Sequence, residues 1–239
     1  MEKQTMITGA SGEIGAAIAM KLASEGHQLF LHYNQNNAAI EELSQQLPED
    51  CIKGVIQADL SSGDGLRNFL EQIPNEITHL VMTSGAAYYG LFQDMKDEEM
   101  DAMLHLHVTS PWKITRAIIP EMIRRKCGNI ILITSIWGQQ GASCEVAYSS
   151  VKGAQNTFIK ALAKELGPSQ IYVNGVSPGF IDTRMNHHLT DTEKQQLVED
   201  IPLQRAGLPE DVAGAVSFLC SDQSSYIQGE VIGVNGAFS

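Results

Sequence analysis

Short apolar runs alternate with longer segments of helical period along the chain of 239 residues, and no Pro/Gly-rich linker, low-complexity tract or internal repeat interrupts them. This alternation is typical of strand-helix-strand units, in which helices connect parallel strands. The runs are mostly rich in Ile, Val and Leu, as expected for strands buried on both faces of a sheet. They lie at residues 4–8, 28–32, 52–57, 79–83, 129–133, 170–176 and 230–234.

Six segments of helical period accompany these runs, at residues 14–24, 37–46, 65–72, 109–125, 147–166 and 209–219. Right-handed crossovers predict an α/β fold: residues 1–239 as one Rossmann-type domain, with a doubly wound parallel sheet of about seven strands and helices on both faces. Ligands of such sheets bind at the carboxyl ends of the strands. The polar segment 179–208 has no strand candidate, and we interpret it as a mobile lid with one helix over a substrate.

The charge and cysteine pattern narrows the class of protein. A net charge of -12 argues against nucleic acid or an anionic membrane as a partner, because both require a basic surface. Cys51, Cys127, Cys144 and Cys220 are scattered without a C-x-x-C pair, which favours reduced thiols. No stretch resembles a signal peptide, and no apolar run approaches the roughly 20 residues that span a bilayer. We therefore expect a cytoplasmic protein.

Histidines come in two close pairs, His105 with His107 and His187 with His188. Neither pair has acidic or thiol partners at the spacing of metal ligands. The sequence therefore predicts no metal site.

The first strand candidate runs directly into T-G-A-S-G-E-I-G, residues 8–15, and a helix candidate follows. A glycine-rich turn in that place lets a pyrophosphate approach the helix N-terminus, where free N–H groups and the helix dipole favour negative charge. An ordinary strand-helix turn with small residues is the alternative. We predict that a dinucleotide contacts Gly9, Ser11, Gly12, Ile14 and Gly15.

The next two strand candidates end in further cofactor contacts. Asp59, which precedes Leu60 in A-D-L, can accept a hydrogen bond from an adenine amino group, although alone it would be only a helix cap. The second strand ends in L-H-Y-N-Q-N and lacks the acidic residue that binds a ribose 2′-hydroxyl, which favours NADP(H). His32, Tyr33 and Asn34 are the neutral contacts there, and no arginine stands beside them to bind a 2′-phosphate.

A tyrosine stands four residues before a lysine in A-Y-S-S-V-K-G, residues 147–153. In a helix, Tyr148 and Lys152 would lie one above the other on the same face. A nearby ammonium group lowers the pKa of a phenol, which makes tyrosine a usable proton donor at neutral pH. On an exposed helix the same spacing would have no function.

Together, the segment 8–15, Asp59, Ser135, Tyr148 and Lys152 resemble the classical short-chain dehydrogenase/reductase family, as do 173–185 and 226–236. The resemblance covers essentially the entire chain. It implies that Ser135 binds a substrate carbonyl, that Tyr148 exchanges the proton, and that Lys152 lowers the tyrosine pKa and holds the nicotinamide ribose. It also implies that the cofactor contacts Ser84, Gly85, Pro178, Gly179, Ile181 and Thr183.

Two residues depart from the family pattern in ways that bear on function. Glu13 replaces the middle glycine of the phosphate loop, where its charge would weaken cofactor binding unless the side chain turns outward or caps the helix. His107 replaces the asparagine that anchors a water in the proton path to the lysine. Imidazole both donates and accepts hydrogen bonds, so His107 either serves a similar relay as a catalytic residue or only packs there.

Two substrates are suggested by resemblance. The segment 205–219 resembles 3-oxoacyl-[acyl-carrier-protein] reductases, whose ketone is carried by an acidic protein. The segments 31–36, 106–112 and 135–148 look more like the reductases that convert a 5-aminopentanone group on a lysine of elongation factor P to its alcohol. A basic cluster near the entrance would suit an acidic carrier, and the sequence offers only Arg116, Arg124, Arg125 and Lys126.

Three further expectations concern class and assembly. A dinucleotide-binding sensor without turnover is an alternative that rests only on Glu13 and His107, and a dehydratase or epimerase is a second. By resemblance we expect a homotetramer formed through the two long helices, 109–125 and 147–166. Phe158 and Ile118 are apolar candidates for their outer faces.

Overall fold

The computed structural model describes residues 2–186 and 189–238, and His187 and His188 lie outside the described residues. Within them, one parallel sheet has the strand order β3-β2-β1-β4-β5-β6-β7. This order has its switch point between β1 and β4, where a doubly wound sheet binds its ligand. The strands are β1 Gln4–Thr8, β2 Gln28–Tyr33, β3 Ile52–Gln57, β4 His79–Met82, β5 Gly128–Ile133, β6 Ile171–Pro178 and β7 Val231–Val234.

Nine α-helices connect or flank the strands within the described ranges. They are α1 Glu13–Ser24, α2 Asn37–Gln46, α3 Gly63–Gln72, α4 Asp97–Leu104, α5 Ser110–Arg125, α6 Trp137–Gln140, α7 Val146–Leu166, α8 Asp191–Asp200 and α9 Pro209–Leu219. A π-helical turn, His105–Thr109, joins α4 to α5. None of the helices in the described ranges has the length and apolar character needed to cross a bilayer.

Side-chain caps fix where several helices begin. Asn36 accepts the N–H of Ala39 at 3.1 Å at the start of α2, and Ser62 accepts the N–H of Gly65 at 3.1 Å at the start of α3. Lys126 adopts a left-handed conformation with φ 52° and ends α5 before β5. These local signals explain why strands and helices alternate with short connections.

The sheet separates two hydrophobic cores. On one face, α1, α2 and α9 pack over residues such as Ile7, Leu29 and Val176. On the other, α3, α5 and α7 pack over residues such as Met6 and Leu80. Every residue of β4 and of β5 is buried, as strands covered by helices on both faces must be.

The predicted fold class is confirmed, since the chain is an α/β protein with seven parallel strands between helical layers. Most predicted elements agree with the structure to within a few residues, but α4, the π-helical turn and α6 had no predicted counterpart. The segment 179–208 contains α8 and one isolated bridge between Ile181 and Gly207. Its role as a mobile lid stays a prediction.

Two buried histidines meet at the amino ends of the strands, the edge opposite to the ligand-binding one. The rings of His27 and His79 lie 5.0 Å apart, and their Nδ1 atoms share hydrogen bonds with Thr5 at 2.7 Å and Thr78 at 2.9 Å. Burial lowers the pKa of His27 to about 4 and that of His79 to about 3. Both rings are therefore neutral in the folded protein.

We predict that the free energy of unfolding falls as the pH decreases from 6.5 towards 4. The folded pKa of His27 and of His79 lies below the ordinary histidine value of 6.5, so the unfolded chain binds more protons across this range. One pKa unit corresponds to about 1.4 kcal/mol, so each buried ring contributes at most roughly 3 kcal/mol. Urea denaturation at a series of pH values measures the slope.

The variant His79→Gln serves as the control, because glutamine keeps a polar side chain but does not titrate. It should show a shallower slope between pH 6.5 and 4, even if it is less stable at pH 8. An equal slope in the variant and in the original protein would show that His79 does not contribute to the acid sensitivity.

Candidate active site

The phosphate loop is held in a narrow space between β1, α1 and β4. Gly9 has φ +73°, and a β-carbon there would lie 2.8 Å from the backbone of Ser84. A β-carbon at Gly15 would lie 2.3 Å from the carbonyl oxygen of Gly9. Both positions therefore require glycine, which keeps the turn tight at the N-terminus of α1.

The side chain of His32 fixes the phosphate loop through hydrogen bonds. Its Nδ1 accepts the N–H of Gly9 at 3.0 Å, which leaves the ring proton on Nε2 to be donated to the carbonyl of Ala58 at 3.0 Å. Burial lowers the pKa of His32 to about 4, so the ring stays neutral at physiological pH. His32 borders the predicted cofactor region, but both ring nitrogens are used to join the ends of β1, β2 and β3.

A cavity of about 890 Å³ opens beside the phosphate loop, at the carboxyl ends of the strands around the switch point. Twelve of the residues predicted to contact a cofactor line it: Gly9, Ser11, Gly12, Ile14, Gly15, His32, Asn34, Asp59, Leu60, Ser84, Gly85 and Thr183. A tight glycine turn at a helix N-terminus, beside a cavity of this size, fits a dinucleotide.

Six other predicted cofactor contacts lie outside the lining of this cavity, and two of them, Tyr148 and Lys152, are described below. The ring of Tyr33 packs in the hydrophobic core, and its hydroxyl donates to Oδ1 of Asn37 at 2.8 Å. Ile181 is 4% exposed and also packs in that core. Pro178 pairs with Val234 in the sheet, and the N–H of Gly179 donates to the carbonyl of Val234 at 3.0 Å.

The cavity also has lining residues that the sequence did not single out. They come from the loop after β3, the loop after β4, α4, the π-helical turn and the segment after Thr183: Ser61, Thr83, Ala86, Ala87, Tyr88, Tyr89, Glu99, Ala102, Met103, Leu106, Arg184 and Met185. No motif marks most of them, because their common location depends on α4 and on the loop before it.

Tyr148 and Lys152 lie on one face of α7, as the spacing predicts, and both are buried. The Tyr148 hydroxyl shares a hydrogen bond with Ser135, whose Oγ also accepts the N–H of Trp137 at 3.2 Å. Nζ of Lys152 lies 5.5 Å from the centre of the tyrosine ring and donates to the carbonyl of Ile133 at 2.8 Å. The three residues predicted to catalyse thus form one cluster at the end of β5.

This cluster is contiguous with the cavity. Tyr148 packs in a small apolar group with Met103 and Tyr88, both of which line the cavity wall. The loop after β4 is tied to the segment before α7 by the N–H of Gly90, which donates to the carbonyl of Cys144 at 2.9 Å. Tyr148 therefore packs against two residues of the cavity wall.

The pKa values in the cluster differ from the sequence-based expectation. Burial raises the pKa of Tyr148 to about 12, and the charge of Glu145 adds to this, whereas the hydrogen bond with Ser135 acts in the opposite direction. Burial also lowers the pKa of Lys152 to about 7. Lys152 is not among the causes that shift the pKa of Tyr148, and desolvation disfavours the phenolate and the ammonium alike, so the expected lowering is not seen.

His107 lies in the π-helical turn and is completely buried. Its ring meets that of Tyr148 edge to face, with centroids 5.6 Å apart, and its Nε2 lies 2.8 Å from the carbonyl oxygen of Ala86. Burial, together with the charge of Lys152, lowers the pKa of His107 to about 3. These contacts place a neutral ring against Tyr148, and the choice between the relay and the packing role stays a prediction.

A family model and several known proteins are similar to this chain over almost its full length. A family model described as enoyl-(acyl carrier protein) reductase matches residues 9–239. The uncharacterized oxidoreductase YmfI of Bacillus subtilis is 45% identical over 240 residues, covering 100% of this chain and 99% of the relative. The 3-oxoacyl-[acyl-carrier-protein] reductase FabG of Staphylococcus epidermidis is 33% identical over 240 residues, covering 99% and 98%.

Two solved structures of reductases or dehydrogenases have a similar fold. The crystal structure of a putative NAD(P)-dependent gluconate 5-dehydrogenase from Beutenbergia cavernae, with bound NADP at low occupancy, matches with a TM-score of 0.93 and 26% identity, covering 99% of this chain and 96% of that one. YwfH, an NADPH-dependent reductase of bacilysin biosynthesis, matches with a TM-score of 0.92 and 24% identity, covering 100% and 99%. At that identity YwfH bears on the fold alone.

We predict that Gly15→Ala lowers the free energy of unfolding by about 1–3 kcal/mol, because the added methyl group is forced against the Gly9 carbonyl. Gly214→Ala is the matched control, since Gly214 is exposed in α9 with no atom within 4 Å of an added β-carbon. It should raise the free energy of unfolding by about 0.5–1 kcal/mol. Urea denaturation measures both, and a neutral Gly15→Ala would contradict the tight loop geometry.

Proposed function

The chain belongs to the short-chain dehydrogenase/reductase family of oxidoreductases, and from this we propose that it reduces a ketone to a secondary alcohol with NADPH. The match of the family model to residues 9–239 and the relatives at 33% and 45% identity carry the family assignment. The observation that carries the reaction is the buried cluster of Ser135, Tyr148 and Lys152 beside a cavity suited to a dinucleotide.

The residues of the cluster have distinct roles in this proposal. Bound NADPH would supply a hydride to the carbonyl carbon. Ser135 donates a hydrogen bond to the carbonyl oxygen, and Tyr148 delivers its proton to that oxygen as negative charge develops there. With a pKa of about 12, Tyr148 is fully protonated at neutral pH, so it is ready to act as the acid.

Lys152 balances the charge that remains on the tyrosine. Proton transfer leaves a phenolate, which a neighbouring ammonium group stabilises. With a pKa of about 7, Lys152 is about half protonated at neutral pH, and a phenolate beside it would raise that pKa. His107, which contacts the tyrosine ring, acts as a positioning residue.

We propose NADPH rather than NADH because the end of β2 lacks a carboxylate. Asn34 is the residue of that strand end, after His32, that lines the cavity. A carboxylate there would repel a 2′-phosphate, and its absence leaves room for one. The bound NADP in the similar Beutenbergia cavernae structure supports this choice.

For the substrate, we propose the 5-aminopentanone group on a lysine of elongation factor P, and the charge around the cavity supports it. Among the described lining residues, Glu13, Asp59 and Glu99 carry carboxylates, and the one arginine, Arg184, pairs with Glu13. Because Glu13 is paired and Asp59 is predicted to bind the adenine, Glu99 is the described lining carboxylate left for the substrate. An aliphatic amine is cationic at neutral pH, so Glu99 favours an amino-ketone over an anionic group.

A 3-oxoacyl group on an acidic carrier protein is the second candidate, which the identity to FabG favours. The basic residues that would attract such a carrier do not lie at the cavity. Arg124 and Arg125 are in the last turn of α5, before the amino end of β5, and both pair with Glu121. This placement favours the amino-ketone.

To test the proposed substrate, the protein and NADPH are incubated either with elongation factor P that carries the 5-aminopentanone group or with a 3-oxoacyl carrier protein. We expect elongation factor P to gain two hydrogen atoms by intact-protein mass, as NADPH absorbance falls. Tyr148→Phe should reduce the rate by at least about 10²-fold, because the proton donor is lost. Tyr226→Phe, at a fully exposed tyrosine, is the matched control and should retain the rate.

Each other outcome excludes part of the proposal. Turnover of the carrier-bound substrate alone would replace elongation factor P with the fatty-acid candidate. Saturable NADPH binding without oxidation by either ketone would indicate a dinucleotide sensor. Full activity of a folded Tyr148→Phe variant would exclude the assigned proton donor.

We also propose that the protein forms a homotetramer through α5 and α7. The exposed ring of Trp112 on α5 lies 6.1 Å from that of Phe158 on α7, so the two make an apolar patch across both helices. Ile118 is not part of an outer face, contrary to the sequence-based expectation: it is 4% exposed, because it faces the core beneath α5.

Sedimentation velocity tests this assembly. We expect Trp112→Glu to lower the sedimenting mass from four chains to two or one, since it places a charge in an apolar contact. Val55→Glu changes an exposed apolar residue on β3, at the far edge of the sheet, and should leave the mass unchanged. A monomeric original protein would contradict the proposal.

The free thiols of all four cysteines support the further proposal that the protein works in the cytoplasm.

A further inference from the structure

An ion pair joins the phosphate loop to the segment that follows β6. Oε2 of Glu13 accepts the backbone N–H of Arg184 at 2.9 Å, and its Oε1 lies 3.5 Å from Nε of the same arginine. Both residues line the cavity, although 171 positions separate them in the chain. The side chain of Glu13 is therefore directed at Arg184, which holds both of its carboxylate oxygens.

The position of Glu13 makes its charge important. It is the first residue of α1, where the helix dipole favours a carboxylate but where a dinucleotide would also place its pyrophosphate. Without a partner, the carboxylate would repel the pyrophosphate at short range. The Arg184 guanidinium neutralises that charge and leaves the dipole available to the ligand.

Hydrogen bonds of the surrounding backbone hold Arg184 in place. It begins a short helical turn, Arg184–Asn186, in which the N–H of Asn186 donates to the carbonyl of Thr183 at 3.0 Å. Nδ2 of Asn186 donates to the carbonyl of Ile181 at 2.7 Å, and Ile181 forms the isolated bridge with Gly207. The turn thus fixes Arg184 at the beginning of the segment that leads to α8.

We propose that Glu13 and Arg184 form a latch with two effects: Arg184 masks the Glu13 charge from the bound dinucleotide, and the pair restrains the turn Arg184–Asn186 beside the cavity. The masking effect rests on the proposed function, whereas the restraint does not. The side chains of Arg184 and Glu13 are 54% and 37% exposed, so salt screens the pair and changes of about two- to fivefold are expected.

Hydrogen exchange of the protein without NADPH tests the restraint. Amides of Arg184–Asn186 should exchange about two- to fivefold faster in Glu13→Gln and in Arg184→Gln. Because both changes remove the same side-chain ion pair, while the backbone N–H of Arg184 remains in both, the double variant should be no faster than the faster single variant. Arg205→Gln is the matched control: it breaks the pair with Asp211, 2.7 Å apart and similarly exposed, away from this cavity.

NADPH titration by fluorescence, without any ketone, tests the masking. Arg184→Gln should weaken binding by about two- to fivefold at low salt, because it leaves Glu13 unpaired near the pyrophosphate. Glu13→Gln combined with Arg184→Gln should restore the lost affinity, and Arg184→Lys should retain most of it, since lysine keeps the positive charge. The difference should diminish at 1 M salt, where the Debye length is about 3 Å.

The outcomes separate the latch from the proposed function. Equal affinities of Arg184→Gln and the double variant would overturn the masking, and unchanged or additive exchange rates would overturn the restraint. A protein that binds no NADPH in any form would contradict the proposed function, while the exchange experiment would still decide whether the latch exists.

Discussion

The burial of Lys152 is the constraint on which the arrangement of the active site depends. An ammonium group in a dry environment is costly, and it is tolerated here because the carbonyl of Ile133 accepts a hydrogen bond from it at 2.8 Å. The surrounding backbone is correspondingly close. A β-carbon at Gly138 would lie 2.7 Å from the carbonyl carbon of Lys152, so α6 packs directly against α7. Nδ2 of Asn156 also donates a hydrogen bond to the carbonyl of Gly138 at 3.0 Å. Together, the two contacts fix Ser135 opposite Tyr148.

The same burial explains why polar groups around the site are incompletely satisfied. Among the described residues, buried side-chain atoms without a hydrogen-bond partner include Nδ1 of His107, Oε1 of Gln155, Oδ1 of Asn156 and Oγ of Ser84. All four residues lie next to the tyrosine-lysine helix, the π-helical turn or the phosphate loop. Other such atoms among the described residues belong to Gln4, His27, Thr115, Asn129 and Ser177, so unpartnered groups also occur away from the site.

Local patterns were sufficient to predict the strands, most helices and the spacing of Tyr148 and Lys152, because apolar period and glycine placement act over a few residues. They could not predict the π-helical turn that turns His107 towards Tyr148, since one extra residue in a helix leaves no signal in composition. They also missed that Tyr33 and Ile118 point into the core. Which way a side chain points from a helix or from the end of a strand depends on packing against elements that are distant in the chain. The partner of Glu13 was unpredictable for the same reason, because Arg184 is remote in the chain.

Charge is distributed so that an acidic chain is able to hold an anionic dinucleotide. With a net charge of -12, the protein has no general attraction for phosphate. We therefore propose that binding comes from short-range contacts: the N–H groups of the glycine turn, the dipole of α1, and a Glu13 carboxylate that Arg184 neutralises. His32 contributes by remaining neutral, because a buried ring hydrogen-bonded to Gly9 and Ala58 fixes the turn without adding a charge. Such a site discriminates by shape and hydrogen bonding, and Glu99, the described lining carboxylate assigned neither to Arg184 nor to the adenine, is available to select the charge of the second substrate.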